Sequence, residues 1–134
     1  MANEVLKACA RGLTLATEGI ATSGVTQAKI DTKKVVALSD AGAALAATVN
    51  RIFTITPTAA RTLATDNANS ILEDLPGWTV GTWFDTTIVC LAAFNVTLVA
   101  GTGVTIVGNA VVNNASGTWR GRVDSATAVT FYRI

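Results

Sequence analysis

The chain has 134 residues, half of them hydrophobic, with ten basic and nine acidic side chains, a net charge of +1 and no histidine. That length suits one domain with a core of its own and an appended arm. The scattered, balanced charge excludes the clustered basic face of a nucleic-acid binder, and the missing histidine excludes Ser-His-Asp triads and most zinc sites.

Residues 1 to 30 are small, polar and weakly periodic, as in "ATEGIATSGVTQAKI". Val5, Leu6, Cys9 and Leu13 fall roughly at helical spacing, but this stretch holds no aromatic residue. It reads as an extended N-terminal arm that orders against a partner, with Val5, Leu6, Leu13, Leu15, Ile20 and Val25 as its spaced apolar contacts. Met1-Ala2-Asn3-Glu4 carries no basic n-region and no apolar stretch follows, so no signal peptide is expected. A soluble, cytoplasmically made protein follows, with Cys9 and Cys90 as free thiols.

Residues 31 to 134 are expected to form the folded domain. "KKVVALSDAGAAL" predicts a strand, a turn at Ser39-Asp40-Ala41-Gly42 and the start of a return strand. In "RIFTITPT", Ile52, Thr54 and Thr56 alternate with Phe53 and Ile55, a half-buried strand ended by Pro57. "TAARTLATDNANSILEDLPG" changes period. Thr58 is a plausible N-cap and Pro76-Gly77 a stop, so a helix is predicted over 59–74, broken or frayed at Asp66-Asn67.

From Trp78 onward the pattern is β. "TWFDTTIVCLA" places Phe84, Thr86, Ile88 and Cys90 on one face and Trp83, Asp85, Thr87 and Val89 on the other. The longest apolar run, Ile88 to Phe94, is far too short to cross a bilayer, so no membrane partner is expected. "VTLVAGTGVTIVGNAVV" predicts strands near 95–100 and 104–107 joined as a hairpin. Gly101, Gly103 and Gly108 are its structural turn residues, and Gly103 is the one expected at positive φ. A loop follows at 113–117. "TWRGRV" turns Trp119, Gly121 and Val123 inward and Thr118, Arg120 and Arg122 outward, and "AVTFYRI" is the last strand. Strands at this spacing predict a mainly β domain, an antiparallel sandwich or barrel with one short helix.

Chemistry is sparse. Cys90 alternates within an apolar strand and reads as an inert small hydrophobe. Glu73 and Asp74 are adjacent, so they do not face each other on a helix. Asp85 is the one acid inside a strong strand, and an ion pair with Arg120 or Arg122 is its simplest role. Gly101-Thr102-Gly103 lacks the lysine and helix of a phosphate loop. Arg120, Arg122 and Arg133 on neighbouring strands read as a surface or subunit-contact stripe rather than a nucleic-acid site. Trp78 is either an exposed anchor or a core residue. No catalytic, cofactor or metal residues are assigned, and no enzyme is expected.

The order "VVALSDAG", a helix ending in "LPG", "VGTWFDTTIV", "NVTLVAGTGVTIVGNAVV" and a terminal "SATAVTFYRI" resembles the head decoration, or cement, proteins of tailed bacteriophages. The resemblance covers residues 33 to 134. It implies a homotrimeric β-rich protein, made in the cytoplasm of a bacterial host, that sits on the outer capsid of the virion. There it would clamp subunits of the major capsid protein and stabilise the head against internal DNA pressure. On this reading the arm residues with Arg120 and Arg122 are the capsid and subunit contacts. The alternative is a module of a head fibre or tail fibre that touches host surface polysaccharide through Trp78, Trp83 or Tyr132.

Overall fold

Alternation of buried and exposed side chains organises the chain from Lys34 onward. The computed structural model describes residues 34–46 and 48–134. The arm residues Val5, Leu6, Leu13, Leu15, Ile20 and Val25, together with Cys9, lie outside the described residues.

Among the described residues, ten strands and one helix follow in order: β1 Lys34–Ala37, β2 Ala43–Ala44, β3 Arg51–Ile55, β4 Arg61–Ala64, α1 Ala68–Glu73, β5 Trp83–Cys90, β6 Val96–Val99, β7 Val104–Val107, β8 Val111–Val112, β9 Ser116–Ser125 and β10 Ala128–Arg133. They form a six-stranded sheet, β1-β3-β5-β9-β10-β7, and a four-stranded sheet, β2-β4-β6-β8. The fold is therefore mainly β and sandwich-like, with one short helix, as the strand spacing predicts.

Two features of that expectation are corrected. The sheets do not close into a barrel, and they are mixed rather than antiparallel. β1, β3 and β5 run parallel, as do β2, β4 and β6, while β5-β9, β9-β10 and β6-β8 are antiparallel and β7 lies parallel to β10. Parallel neighbours need a crossover between them. Here the crossover is a strand of the opposite sheet, because up to β8 the chain alternates layers with each strand. Turn residues report where the chain bends, but not whether the next strand returns to its own layer.

This winding removes both predicted hairpins. The turn at Ser39–Gly42 carries the chain from β1 in one sheet to β2 in the other. Gly101-Thr102-Gly103 likewise carries β6 across to β7. The corner is held by Ala68 N–H donating to Thr102 O at 2.9 Å and Gly101 N–H donating to Thr65 Oγ1 at 2.9 Å. Gly103 has φ +77° and Gly108 φ +93°, whereas at Gly101 a Cβ would stand 2.6 Å from Thr65 O. All three are turn residues, but of a corner between layers.

The predicted helix over 59–74 is also corrected. Arg61–Ala64 is a strand between β2 and β6, and only Ala68–Glu73 is helical. The N-cap is Asn67 rather than Thr58, its Oδ1 accepting from Ser70 N–H at 2.9 Å. Sheet pairing on both sides outweighs the weak helix propensity of "RTLA". Thr58 instead donates to Asp40. That carboxylate takes the Thr58 hydroxyl at 2.5 Å and Arg61 Nε at 2.7 Å, tying the β1–β2 turn to the start of β4.

One core lies between the layers. The six-stranded sheet contributes Phe53, Ile55, Phe84, Ile88, Trp119, Val123 and Phe131, the four-stranded sheet Leu63, Val96, Leu98 and Val112, and α1 Ile71 and Leu72. In β9 the glycine is required. Gly121 is the register partner of both Phe84 and Phe131, and a Cβ there would run into the Phe84 ring. The two rings meet edge to face at 5.4 Å.

Gly103→Val tests the corner. A β-branched residue at this φ is strained by about 1–3 kcal/mol, and its Cβ would also stand 2.5 Å from Thr127 O and 2.9 Å from Ala68 Cβ. The expected result is a melting temperature lower by at least about 4–8 °C, the shift for roughly 1 kcal/mol in a domain of this size. An unchanged melting curve counts against this corner.

Candidate interaction surface

The outward faces of β5, β9 and β10 bring together residues that the sequence separates by up to fifty positions. β5 alternates as read from the sequence, with Phe84, Thr86, Ile88 and Cys90 buried and Trp83 exposed. β9 buries Trp119, Gly121 and Val123 and turns Arg120 and Arg122 outward, also as read. The register sets Trp83 beside Arg122 and Asp85 beside Arg120, with Tyr132 flanking Arg120 from β10.

Arg120 and Arg122 on this face each pair with an aspartate. Arg120 donates from Nε to Asp85 Oδ1 at 2.9 Å and from Nη2 to Oδ2 at 3.1 Å. Of the two partners the sequence left open for Asp85, the structure selects Arg120. Its guanidinium also lies 4.0 Å from the Trp83 ring centroid. Arg122 bonds Asp124 Oδ1 from Nε at 2.8 Å and Nη2 at 2.6 Å, and stands 5.4 Å from the Tyr132 ring. Asp124 accepts a second bond from the Thr130 hydroxyl. Those two donors, Thr130 first and then Arg122, hold the Asp124 carboxyl below the usual carboxylate range.

Arg133 does not join a basic stripe. It follows the inward parity, its guanidinium 4.7 Å from the buried Trp119 ring, and Nη1 donates to Asn109 O at 3.0 Å. Trp78 is half-buried against the core, which decides between its two readings. Glu73 ends α1 and Asp74 is its C-cap. Cys90 is a buried free thiol that donates to Ala92 O at 3.1 Å. Among the described residues no group of His, Cys, Asp or Glu side chains is placed to hold a metal ion. No helix among them is long and apolar enough to cross a membrane.

Sequence reasoning missed a groove on the same face. Lys34, Val35, Asn50, Ile52, Asp85 and Thr87 line an open hollow of about 300 Å³. Asn50 stands at φ 52°, where Asn is tolerated better than most residues, and its Oδ1 accepts from Asp85 N–H at 3.3 Å. The lining comes from three parallel strands, and no local motif signals it. A second apolar patch lies at the opposite end of β5, where Leu91 and Phe94 are exposed on the corner leading to β6.

Comparison with protein-family models, curated proteins and solved structures finds no match to this chain.

Because Asp124 titrates lower in the folded chain, it stabilises the fold above its unfolded value of about 3.9. That contribution is lost as pH falls through the folded value. Thr130→Val removes the larger cause, so the NMR-monitored midpoint of the Asp124 carboxyl should rise and acid unfolding should begin at higher pH. An unmoved midpoint would show that the hydroxyl does not hold the carboxylate.

Proposed function

We propose that this chain is a structural protein of a tailed-phage virion, a decoration protein that binds the outer surface of the head and ties coat subunits together. The observation that carries the reading is the pair of exposed apolar patches at opposite ends of β5. Trp83 marks one end, and Leu91 with Phe94 marks the other. An eight-residue strand sets them about 26 Å apart at roughly 3.3 Å per residue. A clamp needs two contacts held apart by a stiff body, and the packed sandwich supplies that body.

The resemblance over residues 33 to 134 supports the same reading. So does the composition of residues 1 to 30, which carry spaced apolar side chains without the aromatics of a core. Many copies on one head need only modest affinity each, because multivalent attachment multiplies weak contacts. The fibre reading is less favoured. The Arg120 and Arg122 guanidiniums already lie over the Trp83 and Tyr132 rings that would stack on sugar.

The test is co-sedimentation with heads of the encoding phage that lack their own copy. Full-length protein is expected to pellet with the heads. Deleting residues 2–25, or introducing Leu91→Lys, should weaken attachment at least tenfold, with the circular dichroism of the β domain retained. Failure of the full-length chain to pellet at micromolar concentration overturns the reading. Equal binding by the truncated form removes the arm from it.

A further inference from the structure

The hollow on the six-stranded sheet lies beside β1, and among the described residues β1 pairs with β3 alone. The sheet therefore ends there in a row of backbone N–H and C=O groups unpaired on one side. Val35 and its register partner Ile52, 67 % and 40 % exposed, give the hollow an apolar wall. The acceptors in its lining are engaged. Both Asp85 oxygens take Arg120, Asn50 Oδ1 takes the Asp85 N–H, and the Thr87 hydroxyl shares a bond with that of Thr118 at 2.9 Å. Two donors are not. Among the described residues the Lys34 ammonium has no carboxylate and Asn50 Nδ2 has no acceptor.

We infer that the β1 edge takes an extended peptide segment of another protein, one that carries a carboxylate two residues from a large apolar side chain. The segment adds a strand beside β1, so its backbone pairs with the open edge at the usual strand spacing of about 4.8 Å. Side chains two residues apart then fall on the same face. The apolar one crosses Val35 towards Ile52, and the carboxylate meets the Lys34 ammonium. Charge selects an acidic segment, because Arg120 cancels Asp85 and Lys34 leaves the groove net positive. Main-chain bonds supply the affinity of such a contact, and the places for alternate side chains supply its specificity.

Other occupants fit this place less well. A free small molecule binds where a pocket closes over most of its surface, whereas this hollow of about 300 Å³ is open to solvent. It suits side chains brought in on a strand. A second copy would set Lys34 against Lys34, and a lysine on an edge strand deters pairing with a copy of itself. The same lysine attracts an acidic partner.

The experiment uses the full chain without capsids, so this contact and the head-binding reading stand or fall separately. The probe is the blocked heptapeptide Thr-Glu-Thr-Leu-Thr-Glu-Thr, titrated into labelled protein and followed by amide NMR shifts. Saturable binding below one millimolar is expected, with shifts centred on β1 and β3 and affinity falling as salt is raised. A peptide with lysine in place of both glutamates should bind at least fivefold more weakly, as should one N-methylated at the leucine and the threonine after it. Lys34→Glu should reverse the preference between acidic and basic peptides, and Ile52→Ser should weaken both. Val107→Ser, on the strand at the other edge of the same sheet, should change nothing. No saturation, equal binding of the acidic and basic peptides, or equal binding of the N-methylated one overturns the proposal. So does a change in the light-scattering mass of the free chain on Ile52→Ser, which would give the face to a second copy. If the variants lose their fold, the three peptides on the unmodified chain decide.

Discussion

The Phe84 ring lies where the side chain of residue 121 would be, and this fit holds β5, β9 and β10 in one alignment. Phe84, Gly121 and Phe131 are register partners across the three strands, with the rings meeting edge to face at 5.4 Å. Side chains alternate with period two, so a slip of one residue would bring Arg120 or Arg122 inward against the ring. Burying an unpaired guanidinium is far more costly than the slip could recover. The same alignment sets Asp85 opposite Arg120 on the outside. A core contact therefore places the surface ion pair, although the two lie on opposite faces of the sheet.

The winding has its own logic. Each of the first eight strands crosses to the other layer, so β1, β3 and β5, and likewise β2, β4 and β6, stack as parallel neighbours and long-range pairing dominates the fold. Corners then carry much of the specificity. Asp40 holds Thr58 and Arg61, its carboxyl kept well below the usual range chiefly by the Arg61 bond. At the β6–β7 corner the backbone of Thr102 receives the first N–H of α1, so helix and corner brace one another. The winding between β4 and β5 is longer than its neighbours because α1 is inserted there, and Ile71 and Leu72 use the insertion to extend the core.

Paired charges and exposed apolar side chains together favour contact with protein. Desolvating a bidentate Arg–Asp pair strands no lone charge, and the arginines are steadied against aromatic rings before any partner arrives. Side chains already held in place lose less freedom on docking. The proposed clamp draws on that property at both ends of β5.

The alternation in "RIFTI", "WFDTTIVC" and "TWRGRV" was enough to assign the buried and exposed faces of β3, β5 and β9, because the period-two geometry of a strand is local. Gly103 was legible at positive φ for the same reason. What lay beyond the sequence was the partner of each strand. "VTLVAGTGVTIV" has the composition of a hairpin, yet β6 and β7 belong to different sheets, since pairing is decided by packing across the whole domain. "RTLA" was read as helix because its neighbours are helical in composition, and only β2 and β6 on either side make it a strand. The groove between Val35, Ile52 and Asp85 was likewise invisible, because its walls come from three windings that only the tertiary structure stacks. The sequence by itself determined which side chains face inward along each strand. The order in which the strands meet, and with it the set of side chains that share the outer face, was decided by the closure of one core between two layers.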